Sequence, residues 1–326
     1  MMAARTGIAC FGEALIDFLA QAARPGEPTR FVQHAGGAPA NVAVGVARLG
    51  GDARFVGMLA TDMFGDALFA ELARHGVDLS QVRRSDDAPT ALAFVRLGEG
   101  GERSFSFRRP PAADLLFRNA DFDVRAFAAL SVFHACSNTL TEAGIAEATL
   151  HGMALARDAG ALVSFDLNLR PALWPRGTDP RPAIWRALEL AQLVKLSAEE
   201  FAFLAADGSD VPARLFANAT RALVVTDGAA PLRWWTANAG GIVDTFAVEA
   251  IDTTAAGDAF VAGLLQRLVA RGIDAASLAR AFEDDASRTD LLRHAMAAGA
   301  LATTRHGAFD AMPSAAEVRA LAGEIE

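Results

Sequence analysis

The sequence predicts an α/β fold in which a mainly parallel sheet is flanked by helices and carries a small projecting β lid. Three observations lead there. From Leu130 onward, strand-like and helix-like segments alternate, a rhythm that argues for parallel strands covered by helices on both faces. The segments at about 13–35 and 90–110 are β-rich and do not fit that rhythm, so they read as a separate small sheet. A run of small residues at 252–258 joins a β-rich stretch to an apolar helical pattern, and strand-to-helix junctions are where open α/β sheets gather ligands.

Taken in order, residues 8–11 begin the first strand, and 13–19 continue in mixed apolar and polar order. Gly36-Gly37 leads into a helix over 39–49, with Pro39 suited to a first helical position and Gly50-Gly51 as the stop. A strand at 53–57 and a helix over about 65–75 follow. Residues 90–97 and 103–108 alternate like paired strands around the turn Gly98-Glu99-Gly100-Gly101. Further strands are expected at 132–135, 162–166, 193–196, 223–226 and 243–251, with helices at 142–159, 184–190 and 258–270. No internal repeat or separable linker stands out, so residues 1–326 read as one domain with a lid.

Composition narrows the function. Hydrophobic residues make up 52% of the 326, ample for a core, and the net charge of −9 argues against a nucleic-acid partner. An anionic ligand is still compatible, because local amides, arginines and a metal can hold phosphates. Cys10 and Cys136 form no C-x-x-C pair and read as buried small residues rather than a zinc or disulfide framework. The N-terminus lacks the basic and long apolar regions of a signal peptide, and no run of about 18 apolar residues suggests a membrane span. The expected location is cytoplasmic.

The most informative stretch is Asp252-Thr253-Thr254-Ala255-Ala256-Gly257-Asp258-Ala259-Phe260. It places Ala255, Ala256 and Gly257 at a helix N-terminus, where the first backbone N–H groups lack intrahelical partners. Small residues let an anion approach those donors, and the helix dipole adds attraction. A carboxylate at Asp258 is then placed to take a proton from a hydroxyl attacking a phosphorus held by the amides. An isolated Ala-Ala-Gly-Asp would read as dipole complementarity and close packing; nine residues between strand and helix favour phosphoryl transfer.

These residues resemble the C-terminal motif of the ribokinase-like sugar kinases, the phosphofructokinase-B family. There the aspartate is the catalytic base and the preceding amides are the anion hole. Gly36-Gly37-Ala38-Pro39-Ala40-Asn41-Val42-Ala43 resembles the family's N-terminal motif, which implies that Gly36, Gly37 and Asn41 belong to the sugar site. By the same resemblance Asp17 binds sugar hydroxyls. Arg109, in Arg109-Pro110-Pro111-Ala112-Ala113-Asp114, matches a lid segment of bacterial fructokinases; Arg108 stands where a tyrosine is frequent. Asp166-Leu167-Asn168-Leu169-Arg170-Pro171 is similar to fructokinases and 2-keto-3-deoxygluconate kinases. It implies that Arg170 meets substrate and Asn168 the nucleotide.

Lys195-Leu196-Ser197-Ala198-Glu199-Glu200 corresponds to the family's Asn-x-x-Glu motif, with Ser197 in place of Asn and at the nucleotide. Glu200 is implied to position Mg²⁺ through water, although a serine followed three residues later by a glutamate is also a capping box. Thr226 and Gly228 match the nucleotide-contacting loop. Thr303-Thr304-Arg305-His306-Gly307 resembles a loop that, with Asp252 and Thr254, holds K⁺ in several members.

The chain has no G-x-x-x-x-G-K-[ST] loop, so a P-loop kinase is unsupported, and no G-x-G-x-x-G after the first strand, which disfavours a dehydrogenase. The resemblance, from Gly12 to Pro313, implies a ribokinase-like fold and an ATP- and Mg²⁺-dependent kinase for a small sugar, with fructose first. 2-Keto-3-deoxygluconate, ribose or a nucleoside remain open, as does a non-catalytic sugar-binding regulator. Exposed lid edges suggest a homodimer.

Overall fold

A computed structural model describes residues 5–21, 28–97 and 103–323 of the chain. Its first strands are β1 (Gly7–Phe11), β2 (Leu15–Ala20), β3 (Phe31–Gly36), β4 (Asp52–Ala60), β5 (Val82–Ser85), β6 (Leu92–Leu97) and β7 (Arg103–Arg108). They continue with β8 (Leu130–Cys136), β9 (Leu162–Asp166), β10 (Leu193–Ser197), β11 (Ala222–Asp227), β12 (Ala230–Trp235) and β13 (Gly240–Val243). The helices are α1 (Ala38–Arg48), α2 (Met63–Arg74), α3 (Ala143–Asp158), α4 (Arg181–Leu188) and α5 (Ala198–Ala205). After them come α6 (Val211–Phe216), α7 (Ala256–Ala270), α8 (Leu278–Glu283), α9 (Asp285–Ala302) and α10 (Ala315–Ala322).

Nine strands form the main sheet in the order β13-β12-β11-β10-β9-β8-β1-β4-β5. Pairing is parallel from β11 across to β5, and antiparallel only at the β11-β12-β13 edge. The strands are apolar on both faces, as a sheet covered twice requires. Ile8, Cys10, Val132, Leu162, Leu193 and Val224 pack towards α1, α2, α7, α8 and α9. Their neighbours Ala9, Phe11, Phe133, Val163, Val194 and Val225 pack towards α3, α4, α5 and α6. The parallel sheet with helices on both faces is therefore as expected, and both cysteines are buried and free.

The β-rich early segments form a second sheet of four strands, β3-β2-β6-β7. β2 pairs antiparallel with β3 and parallel with β6, and β6 pairs antiparallel with β7. Phe18 stacks on Phe94 at 5.3 Å and meets Phe64 of α2 edge-on at 5.7 Å, anchoring this sheet beside the main one. The expected turn at Gly98-Glu99-Gly100-Gly101 lies outside the described residues.

One expected strand is corrected. The alternating apolar residues of 243–251 do not form a strand; β13 ends at Val243 and 244–250 run as irregular backbone. Phe246 and Val248 turn towards a cavity rather than a strand partner, so their apolar character reflects the wall of that cavity. The hairpin of β12 and β13, strand β5, and helices α6 and α8–α10 had no counterpart in the sequence reading, and of α5 only its start was read, from the capping box at Ser197 and Glu200.

Candidate active site

Three adjoining cavities lie along the carboxyl ends of the main-sheet strands and the N-terminus of α7. The first, of about 570 Å³, has an apolar wall that includes Leu232, Phe246, Val248, Phe260 and Met296, with Thr226 and Gly228 at its mouth. The middle one, about 660 Å³, is polar and contains Asp166, Asn168, Arg170, Lys195, Ser197 and Glu200 together with residues 255–258. The third, about 270 Å³, lies under the small sheet and is lined by Glu13, Asp17, Gly37, Asn41, Phe107, Asn138 and Asp258, among others. Asp258 and Ala255 belong to both the middle and third cavities, Gly257 and Ala256 to the first and middle. An elongated ligand with an apolar base and an anionic tail would therefore end at Asp258.

Local sequence explains that junction. Ala255 caps α7 in the left-handed conformation, φ 57°, so the chain turns sharply and Ala256, Gly257 and Asp258 become the first helical turn. Of the N–H groups of that turn, Ala256 N reaches Thr253 O at 3.4 Å, and Gly257 and Asp258 have no helical carbonyl four residues back to bond. Asp252 fixes the approach: its carboxylate, 4% exposed, accepts from Thr254 N at 2.7 Å and from Gly307 N at 3.2 Å. The loop of Asp252 and Thr254 and the loop of Gly307 are thus held together.

Asp258 is buried, and Asn41 Nδ2 donates to its Oδ2 at 2.7 Å. The contact follows from helix packing. Gly45 and Ala262 lie one turn after Asn41 and Asp258, and a Cβ on Gly45 would fall 2.6 Å from Ala262 Cβ. Glycine there lets α1 and α7 approach closely enough for the bond. Burial lifts the Asp258 carboxyl above its ordinary value, while the Asn41 hydrogen bond, Arg170 and Lys195 pull it back. The result is a carboxylate more basic than an exposed one, suited to accept a proton.

On the other wall, Glu200 is the third residue of α5 and forms a capping box with Ser197. Ser197 Oγ accepts from Glu200 N at 3.1 Å, and Glu200 Oε2 accepts from Ser197 N at 2.7 Å. Oε1 accepts from Leu169 N at 2.7 Å, which ties the 166–170 loop to α5. Glu200 thus caps the helix, as the sequence reading allowed, and it also lines the middle cavity. A carboxylate has about four lone-pair sites, so it keeps capacity for a magnesium-bound water. Among the described residues no group of three or more His, Cys, Asp or Glu could enclose a metal.

The structure brings together Asp17, Gly37, Asn41, Asn168, Arg170, Ser197, Glu200, Thr226, Gly228, Thr254 and the 255–258 turn. Gly36, Asp252 and Gly307 stand behind the walls; a Cβ on Gly36 would meet Asp17 Oδ2 at 2.4 Å. Arg109 is the correction. Its guanidinium lines none of the three cavities but donates twice to Asp114 Oδ2, at 2.8 and 2.6 Å, with side chains 2% and 4% exposed. After β7 the chain turns through Pro110-Pro111 and returns Asp114 to it, and a buried guanidinium needs that partner. Phe107, not Arg108 or Arg109, reaches the third cavity from β7, while Arg108 is exposed.

Sequence reasoning gave no role to Glu13, Asn138, Asp166 or Lys195. Glu13 is 1% exposed, accepts from Asn138 Nδ2 at 2.9 Å, and has an Oε2 with no partner among the described residues. The available signal was a charged residue inside an apolar strand end, which becomes telling only once tertiary neighbours are known.

Known proteins resemble the whole chain. The profile of the pfkB family carbohydrate kinases matches residues 5–315. Fructokinase-1 of Zea mays is 41% identical over 323 residues, covering 98% of this chain and 98% of that one. The crystal structure of a fructokinase with bound ATP from Xylella fastidiosa superposes with a TM-score of 0.93 at 53% identity, covering 98% of each chain. A fructokinase from Vibrio cholerae O395, in fructose, ADP and calcium ion bound form, gives 0.85 at 34% identity, over 97% of this chain and 99% of that one.

Proposed function

The chain belongs to the pfkB family of carbohydrate kinases, and from that premise we propose that it is a fructokinase, transferring the γ-phosphoryl group of ATP to a primary hydroxyl of D-fructose. The observation that carries this reading is the position of Asp258. It stands where the cavity under the small sheet meets the larger polar cavity, which in turn opens into an apolar one. The ATP-bound and fructose-bound relatives supply the matching pair of ligands.

In this reading the adenine lies against Phe246, Val248 and Met296, and the phosphates run past Thr226, Gly228, Asn168 and Ser197. Asp17, Gly37 and Asn41 orient the sugar, and Arg170, which borders both polar cavities, faces the incoming phosphoryl group. Asp258 takes the proton of the attacking hydroxyl, while the first-turn amides of α7 receive the charge that grows on the phosphoryl oxygens. Glu200 holds Mg²⁺ through water; when bound, that ion offsets phosphate charge. The Asp252, Thr254 and Gly307 loops would take K⁺. The domain works as one unit with the small sheet as a lid that excludes water during transfer, in a cytoplasmic protein. Among the described residues no helix is long and apolar enough to cross a membrane.

The test is ADP release with ATP and Mg²⁺ across fructose, ribose, 2-keto-3-deoxygluconate, glucose and inosine, with and without K⁺. Preference for fructose supports the reading, and a different preferred sugar overturns the substrate. Asp17→Asn is expected to raise the KM for fructose by about tenfold or more, the worth of one hydrogen bond to a charged group; an unchanged KM would remove Asp17 from the sugar site. Dimerisation through the small sheets is the assembly we favour. Phe31 and Val32, 45% and 37% exposed, lie on its edge strand β3, and edges seek partners. A monomeric mass at micromolar concentration would contradict it.

A further inference from the structure

Lys195 is a buried cation for which the activity described above has found no task. It lies in β10 between Val194 and Leu196, both fully buried, and an ammonium in such surroundings is costly unless paired. Its Nζ donates to Asp166 Oδ2 at 3.1 Å, with the two side chains 10% and 4% exposed. The strand register sets Lys195 directly beside Asp166.

A buried ion pair can close wholly within the core, as that of Arg109 and Asp114 does. The pair of Lys195 and Asp166 faces the middle cavity. A Cβ built on Gly257 would stand 3.0 Å from Lys195 Nζ, so the ammonium rests against the first turn of α7, beside the amides that receive the anion. Glycine at 257 leaves it that space. An ammonium has three donors, and Asp166 takes one that the structure shows. Burial alone would lower the Lys195 affinity for its proton, but Asp166 and Glu200, with Asp258 further off, overcome this and keep it charged.

We propose that Lys195 is a catalytic residue of the phosphoryl transfer, its ammonium contacting the transferred group from the side opposite the sugar, with Asp166 as the positioning residue that holds it there. The inference rests on the kinase reading. In the step, a bond forms between the sugar oxygen and the γ-phosphorus, and the bond from that phosphorus to the bridging oxygen of ADP breaks. The hydroxyl proton passes to Asp258, and Lys195 neither gives nor takes one. Its charge reduces the repulsion between the Asp258 carboxylate and the phosphates and grows in value as the equatorial oxygens gain charge. Lys195 does not border the sugar cavity, so sugar binding should be indifferent to it.

Lys195→Gln removes the charge but retains an amide donor for Asp166, and Lys195→Arg retains the charge. We expect Lys195→Gln to lower kcat by about 10²- to 10³-fold and to leave the KM for fructose within about threefold. Its affinity for a non-hydrolysable ATP analogue should fall about tenfold or more relative to its affinity for ADP, and Lys195→Arg should recover part of both losses. A Lys195→Gln enzyme with near wild-type kcat, or with equal losses for the analogue and ADP, would overturn the proposal. If Lys195→Gln does not fold, Lys195→Arg decides: an analogue-to-ADP preference close to wild type supports the role, and its disappearance with kcat unchanged overturns it. Failure of the kinase reading looks different, because then the wild-type protein itself releases no ADP with any sugar.

Discussion

Asp258→Asn is expected to lose at least ~10²-fold in kcat, the lower end of a general base's contribution, while its melting temperature stays level or rises. The two effects have one cause. The carboxyl is buried, and burial lifts it above the ordinary value of 3.8 in the folded chain. A carboxyl whose folded pKa is raised contributes stability in full below its unfolded pKa, and that contribution is lost as pH climbs through the raised value. At neutral pH the buried charge is therefore a cost, tolerated because the ionised form is the one that accepts the hydroxyl proton. Asparagine removes the charge and can still accept the hydrogen bond from Asn41. Turnover of the wild-type enzyme should correspondingly fall as pH drops through the Asp258 pKa, which burial raises. Near-normal kcat in the variant would take Asp258 out of the chemistry; a large loss of thermal stability would mean that its role is structural.

Phe11→Ala should cost about 3–5 kcal/mol, a fall in melting temperature of roughly 4–7 °C for a chain this long. Phe11 is fully buried at the end of β1. Its ring stands 5.2 Å from Phe117, 5.3 Å from Phe122 and 5.8 Å from Phe133, so truncation opens a void lined by three aromatic rings. These cannot close over it without moving β8 and the segment after β7, and Glu13 of the sugar cavity follows two residues later. Scanning calorimetry reads the shift directly. A fall below about 2 °C would mean that the rings collapse into the space and that this cluster does not anchor the sheet.

Much of this architecture was legible because its signals are local. The alternation beyond Leu130 reports strands buried on both faces, and the sheet has that form. Gly37, Asn41 and the 255–258 turn owe their positions to helix starts, and a helix start is written in a few adjacent residues. The failures arise where neighbours distant in sequence decide. Phe246 and Val248 alternate like a strand, yet they line a cavity; the pattern reports burial and not what does the burying. Arg109 looked available to a ligand until Asp114, five residues on, proved to hold it. Lys195 sits in a strand whose apolar neighbours drew attention away from it, and its proximity to Gly257 depends on how β10 meets α7.

The most direct measurement is phosphorus NMR of the products formed from ATP, Mg²⁺ and fructose by the wild-type enzyme and by Asp258→Asn. Proton transfer to Asp258 requires ADP and a fructose phosphate esterified at a primary hydroxyl in equal amounts from the wild type, and almost none of the ester from the variant. Inorganic phosphate in place of the ester, or ester formed by Asp258→Asn at the wild-type rate, would contradict it.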